Sequence, residues 1–115
     1  MAFSVQQFDD NEDTIRLTVA QLNKDMASTG FELEWKGNRI NAYMELTSQL
    51  ENIIRQAGKN NPATFHFWLN RVDIPEHVLK RILLLKDDRS ALAKAILERT
   101  FIKIMFRKNY PSSHT

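Results

Sequence analysis

The stretch SALAKAILERTFIKIMFR, residues 90–107, decides the fold of this sequence. It spans about five helical turns, and it lies in a longer segment, Ile74 to Tyr110, that contains no glycine. Too many of its residues are apolar for a surface helix with one narrow hydrophobic stripe. They are Leu92, Ile96, Leu97, Phe101, Ile102, Ile104, Met105 and Phe106. We therefore predict that this stretch forms the central helix of a small helical domain and ends near Asn109.

The composition is that of an ordinary globular domain. A length of 115 residues corresponds to one domain, residues 1–115, and 43% hydrophobic with 26% charged residues excludes a disordered or fibrous chain. The chain has no cysteine, which excludes disulfides, thiol catalysis and thiolate metal sites. No apolar run approaches the length of a transmembrane helix, and the N-terminus lacks the pattern of a signal peptide. We expect a cytoplasmic protein without a membrane partner.

The first helix is predicted to begin at the acidic run Asp9–Asp13, because carboxylates stabilise the positive end of a helix dipole. Four apolar residues then recur on one helical face, namely Ile15, Val19, Leu22 and Met26. Gly30 suits the left-handed position that follows a helix. A strand over residues 14–19 is the alternative, but its alternation stops there, whereas the helical period continues. Residues 1–8 show no clear period, and we expect them to be irregular.

Residues 31–35, Phe-Glu-Leu-Glu-Trp, alternate apolar and polar side chains and precede a turn at Gly37. This pattern predicts one short extended segment. A strand would need a partner, and the nearby candidate is Phe3–Phe8. We favour the other interpretation, an extended connector whose apolar side chains lie across the helices.

A second long helix is predicted from Ile40 to Ala57, capped at its start by Asn38 or Asn41. Gly58 is predicted to end it, with Pro62 beyond. Its apolar face consists of Tyr43, Leu46, Thr47, Leu50, Ile53, Ile54 and Ala57.

Asn61-Pro62 is expected to open a further helix, because proline at the first helical position loses no hydrogen bond. Its apolar residues are Phe65, Trp68, Leu69 and Val72. A strand over Phe65–Leu69 is the alternative, because the segment is short and rich in aromatic residues. Another helix is predicted over Ile74–Lys86. The adjacent aspartates Asp87 and Asp88 predict a break before the last helix, because they suit the start of a helix better than its end. Residues 111–115 are expected to be irregular. The prediction is therefore an all-α compact bundle of four to five helices.

One part of the chain resembles a ribbon-helix-helix DNA-binding module. Residues 72–82, with Pro75-Glu76, are followed by residues 89–96, which begin Arg89-Ser90. That family reads strand, Pro-Glu, helix, Arg-Ser, helix. The gap between Pro75 and Arg89 is shorter than that family's first helix and turn require. Aromatic residues also precede the motif where the family's strand presents polar groups to the bases. We therefore assign the chain to no family.

No constellation of catalytic or metal-binding residues stands out. The histidines His66, His77 and His114 lack the spacing of a metal site, and there is no glycine-rich phosphate loop. Glu98, within the apolar last helix, is interpreted as an ion-pair partner of Lys94 at i−4 rather than a general acid. The sequence predicts no cofactor and no metal, and it favours a role other than catalysis.

Three cations on the last helix form the sharpest functional feature. Arg99, Lys103 and Arg107 recur every four residues, so each is rotated only about 40° from the previous one. We call these three residues the basic ridge. They are the candidate binding residues for phosphate or an acidic partner. The alternative is a solvated face that complements the C-terminal end of the helix dipole, and the small net charge of +2 favours it.

The number of large apolar side chains is high for helices this short. They include Trp35, Phe65, Phe67, Trp68, Phe101 and Phe106. Some of them are candidates for an interface, although a monomer core is the more common place for such residues. The sequence therefore predicts a protein–protein interaction or structural module that associates with itself or with another protein. The alternative function is nucleic-acid binding through the basic ridge.

Overall fold

A computed structural model describes residues 3–60, 62–72, 74, 77 and 88–109 of the chain. These residues form five α-helices and no strand, which confirms the predicted all-α bundle. The helices are α1 (Val5–Asp9), α2 (Glu12–Asp25), α3 (Ala42–Asn60), α4 (Pro62–Val72) and α5 (Asp88–Asn109), and a 3-10 turn covers Ala27–Thr29. Apart from Ile74 and His77, the predicted helix over Ile74–Lys86 lies outside the described residues. The predicted break before α5 and the irregular tail at residues 111–115 lie outside them too.

The last helix, α5, is central, as residues 90–107 predicted. It packs against both α3 and α2. Its buried residues are Leu92, Ala93, Ile96, Leu97, Thr100, Phe101 and Ile104. It also has an outer side, where Ile102 and Met105 are only partly buried and Phe106 is 58% exposed. Not all of its apolar residues therefore belong to the core.

The N-terminal segment differs from the prediction of an irregular stretch over residues 1–8. Val5–Asp9 form α1, and the Ser4 side chain caps it by accepting a hydrogen bond from the Gln7 amide at 3.3 Å. Phe8 is completely buried, and its ring centroid lies 4.8 Å from that of Phe101. A helix of five residues is not stable by itself, and this tertiary contact stabilises it. A search for periodicity does not detect such a contact.

The second helix begins within the predicted acidic run, but it ends at Asp25, before the predicted stop at Gly30. The Asn11 side chain accepts a hydrogen bond from the Thr14 amide at 3.2 Å, and Glu12 and Asp13 occupy the first turn. Gly30 has a φ of 81°, the left-handed conformation that glycine adopts without steric cost. It closes the 3-10 turn that follows the helix.

Residues 31–35 form the extended connector that we favoured. Leu33 is buried, and the side-chain amide of Asn23 bonds both its N–H, at 2.7 Å, and its carbonyl, at 3.1 Å. Gln49 bonds both backbone groups of Glu34 in the same way, at 2.9 and 2.8 Å. Two helix side chains therefore satisfy the backbone groups that a neighbouring strand would otherwise bind.

The predicted face of α3 is buried, but its predicted end is wrong. The helix continues through Gly58 to Asn60, because a helical glycine costs only about 1 kcal/mol relative to alanine. At the other end, Asn41 has a φ of 59° and the Asp9 carboxylate of α1 accepts a hydrogen bond from the Tyr43 amide at 2.9 Å. This cap comes from another helix and not from the predicted asparagines. The next helix, α4, begins at Pro62 as expected.

Candidate functional site

The basic ridge lies on the outer side of α5. Arg99 and Lys103 are partly buried, whereas Arg107 is exposed. All three line a shallow depression of about 280 Å³, together with Ile102 and Phe106. An exposed aromatic ring, that of Phe106, therefore lies beside the basic ridge. The spacing of the charges in the sequence did not suggest this.

Two ridge residues also belong to a smaller pocket between three helices. Lys103 and Arg107 from α5 meet Arg71 from α4, and the pocket has a volume of about 120 Å³. Gln21 and Asp25 from α2 and Thr100 from α5 complete the polar part of its lining. We call this the three-helix pocket. Arg99 does not line it, so only two of the three ridge residues contribute to this pocket.

Asp25 is the single carboxylate among the described residues that line the three-helix pocket. It is 8% exposed, and its Oδ1 accepts a hydrogen bond from Gln21 Nε2 at 2.9 Å. The same oxygen lies 3.8 Å from Arg71 Nη2, which is longer than a hydrogen bond. Lys103 Nζ donates to the carbonyl oxygen of Val72, the last residue of α4, at 3.4 Å. The pocket thus holds three cationic side chains around one carboxylate.

Sequence reasoning missed Arg71 and Asp25, because α2, α4 and α5 are distant along the chain. One local signal was available for Asp25. It is the last residue of α2, where a carboxylate faces the negative end of the helix dipole. An acidic residue in that position predicts a cation nearby. The sequence does not identify which of the 16 lysine and arginine residues provides it.

A groove between α2 and α5 extends the cationic surface. It has a volume of about 390 Å³ and is lined by Lys24 of α2 and by Arg107 and Lys108 of α5. Lys108 Nζ donates to Thr14 Oγ1 at 3.1 Å. Leu17, which is 47% exposed, forms part of the apolar wall. Arg107 therefore joins this groove to the three-helix pocket.

An apolar groove lies between α1 and the loop before α3. It has a volume of about 550 Å³ and is lined by Val5, Asp10, Arg39 and Ile40, among others. We call it the N-terminal groove. Val5 is 45% exposed and Ile40 is 75% exposed. Met44, in the first turn of α3, is 64% exposed.

Glu98 forms a contact different from the predicted pair with Lys94. The hydroxyl of Tyr43 donates to Glu98 Oε2 at 2.6 Å. Burial, followed by this hydrogen bond and the charge of Glu98, raises the pKa of Tyr43 well above its ordinary value. The rings of Phe3 and Phe8 lie 5.4 and 5.7 Å from that of Tyr43. The pair therefore joins α3 to α5 inside the bundle.

The histidines do not form a site within the described part of the chain. His77 is exposed, and the side chain of His66 and all of His114 are not among the described residues. In the described ranges, no group of three or more histidine, cysteine, aspartate or glutamate side chains is arranged to hold a metal ion. The surfaces with functional character are therefore the cationic side of the bundle and the N-terminal groove.

Comparisons of the chain with protein-family models, with curated proteins and with solved structures gave no match. None of the helices in residues 3–60, 62–72 and 88–109 is long and apolar enough to cross a membrane. The function is therefore argued from the surfaces of the chain itself.

Proposed function

We propose that this protein is a self-associating protein–protein interaction module and that the N-terminal groove is its contact surface. The observation that carries the proposal is the exposure of Ile40, at 75%, beside a groove that also contains Val5. Met44, in the first turn of α3, is also 64% exposed. Apolar side chains exposed together are typical of surfaces that contact another protein.

The loop that carries Ile40 is held in place by several hydrogen bonds. Asn38 Oδ1 accepts from the Ile40 amide at 3.0 Å, and the Asn38 carbonyl accepts from Trp35 Nε1 at 2.9 Å. Arg39 Nη1 donates to the carbonyl of Asp10 at 3.3 Å, which ties the loop to the end of α1. A side chain presented on an ordered loop loses little conformational entropy on binding. Ile40 therefore has the properties of an interface anchor.

The charges around the groove favour a second copy of this chain as the partner. Asp10 and Arg39, both exposed, line the same groove with opposite charges. In an isologous dimer, each surface meets its own copy across a two-fold axis. Asp10 of each chain can then approach Arg39 of the other, while the apolar side chains meet at the centre.

Sedimentation equilibrium over micromolar to millimolar concentrations tests the proposal. We expect a reversible dimer that Ile40→Ser weakens about tenfold or more, because truncating an anchor costs at least about 1.4 kcal/mol. The control is Leu17→Ser, which removes an exposed apolar side chain outside the groove and should leave the dimer unchanged. A chain that stays monomeric throughout, or an equal loss in both variants, would contradict the proposal.

A charge exchange tests the two-fold arrangement. Asp10→Arg and Arg39→Asp should each weaken the homodimer, because each variant brings like charges together. Mixing the two variants should restore association, since both contacts then join opposite charges. A mixture that associates no better than either variant alone would exclude this geometry.

Nucleic-acid binding is the second candidate, and the cationic side of the bundle favours it. Lysine and arginine residues from three helices lie on this side, and Phe106 offers an exposed ring for stacking. Glutamine at Arg99, Lys103 and Arg107 should abolish most of any such binding. The measurement is a salt titration with single-stranded and duplex DNA and RNA. We expect affinities no tighter than the non-specific range, about 10⁻⁴–10⁻⁶ M. A nanomolar, salt-sensitive affinity that needs the ridge would make this the main function.

A further inference from the structure

We propose that the three-helix pocket is a binding site for a single phosphate group. The proposal goes beyond self-association, since the pocket and the N-terminal groove are lined by different residues. The expected ligand is a tetrahedral oxyanion, either free or as part of a larger molecule. Charge, available donors and the size of the pocket carry it.

The pocket has a surplus of positive charge. Arg71, Lys103 and Arg107 contribute three cations against the carboxylate of Asp25. Two helix ends reduce the surplus, because α2 ends at Asp25 and α4 ends at Val72. Each helix C-terminus adds about half a negative charge. About one positive charge therefore remains, and this surplus favours a bound anion.

Donor groups remain available around the pocket. The guanidinium of Arg71 is 3.8 Å from Asp25 Oδ1, so this ion pair does not use its N–H groups in a short hydrogen bond. Arg107 is exposed and has no ion pair among the described residues. Planar guanidinium groups bind phosphate oxygens in pairs. Thr100, at the base of the pocket, adds a hydroxyl group to the lining.

The position of Asp25 leaves room in the pocket for an external anion. Asp25 is oriented by Gln21 Nε2 at 2.9 Å, which holds the carboxylate on the α2 side of the pocket. The pocket volume of about 120 Å³ is several times the ~10–15 Å³ that one water molecule requires. A phosphate group therefore has room between the three cations without displacing Asp25.

The first experiment is a titration of the full chain with inorganic phosphate, followed by amide shifts in ¹H–¹⁵N NMR spectra. Sodium chloride at equal ionic strength is the reference. We expect saturable shifts for Asp25, Arg71 and Thr100. Shifts that chloride reproduces would overturn the proposal, because they would report only screening.

Two variants and a control separate the pocket from general surface charge. Arg71→Gln and Arg107→Gln should each weaken phosphate binding about tenfold, as expected for the loss of a charge-assisted hydrogen bond. Arg107→Gln keeps the test valid if loss of the Asp25 partner unfolds Arg71→Gln. Lys94→Gln, an exposed site on α5 that does not line the pocket, should have no effect. Equal affinity in the wild type and Arg107→Gln would overturn the proposal.

Asp25→Asn gives the sharpest result. It removes the competing carboxylate and retains the shape of the side chain, so phosphate should bind more tightly than in the wild type. Binding that appears only in this variant would mean that Asp25 already balances the cations, and it would overturn the proposal.

The source of the phosphate can be identified in the same assay. Phosphoserine and adenosine monophosphate carry the same group on different carriers. Tighter binding of phosphoserine than of inorganic phosphate would support a phosphorylated protein partner. Tighter binding of the nucleotide would support a nucleic-acid backbone. Equal affinities would support recognition of the phosphate group alone. None of these three results depends on the oligomeric state. Failure of the phosphate proposal is therefore distinct from failure of self-association.

Discussion

Replacing Phe101 with alanine should be among the most damaging changes in the bundle. Phe101 is 2% exposed and contacts the rings of Phe8 and Phe3, with centroids at 4.8 and 5.7 Å. Burying an aromatic side chain removes ~150–250 Å² from water, and at ~25 cal/mol per Å² this is worth about 4–6 kcal/mol. Alanine retains part of that area, but the change also leaves a cavity. We expect a net loss of about 3–5 kcal/mol.

The assay is urea unfolding followed by circular dichroism, with Phe106→Ala as the control. Phe106 lies on the same helix but is 58% exposed, so the control should lose less than half as much, about 1–2 kcal/mol. Domains have total stabilities of about 5–15 kcal/mol. If Phe101→Ala does not fold, Phe101→Leu keeps part of the packing and allows the same comparison. Equal losses at the two positions would refute the view that α5 is the centre of the core.

Three further changes test individual features. Gly58→Ala should stabilise α3 by about 0.5–1 kcal/mol in thermal unfolding, because glycine loses more conformational entropy in a helix than alanine does. The added Cβ has room, since the nearest atoms are ring carbons of Phe65 at 3.8 Å. A loss of stability would indicate a left-handed helix end instead. Asp9→Ala should cost about 0.5–2 kcal/mol through the lost cap on α3, whereas the same change at Asp10 should cost less. The raised pKa of Tyr43 means that the unfolded chain loses this proton first, so stability should fall as pH rises above about 10. Tyr43→Phe should reduce that fall in urea titrations at high pH, and an unchanged slope would argue against the contact with Glu98.

The two proposed surfaces differ in how far the sequence anticipated them. The basic ridge was visible because its residues are spaced at four on one helix, and local spacing is retained on folding. The three-helix pocket was not visible, because Gln21, Asp25, Arg71 and Lys103 come from three helices. The helix that became α3 was predicted to begin at Ile40, yet Ile40 lies before the helix and is 75% exposed. Which apolar residue faces solvent depends on what packs against it, and periodicity does not contain that information.

The sequence by itself determined the class of the fold, the start of α2, the span of α4, the buried face of α3 and the central position of α5. These features follow from local rules, since a cap, a proline or a 3.6-residue period acts over one or two turns. Only the tertiary structure decided that Val5–Asp9 is helical, that α3 continues past Gly58 and that three cations line one pocket with Asp25. Two of these depend on a contact between segments that are distant along the chain: Phe8 with Phe101, and Arg71 with Asp25. Such contacts form only when the helices pack, because packing brings together side chains that have no relation in sequence spacing.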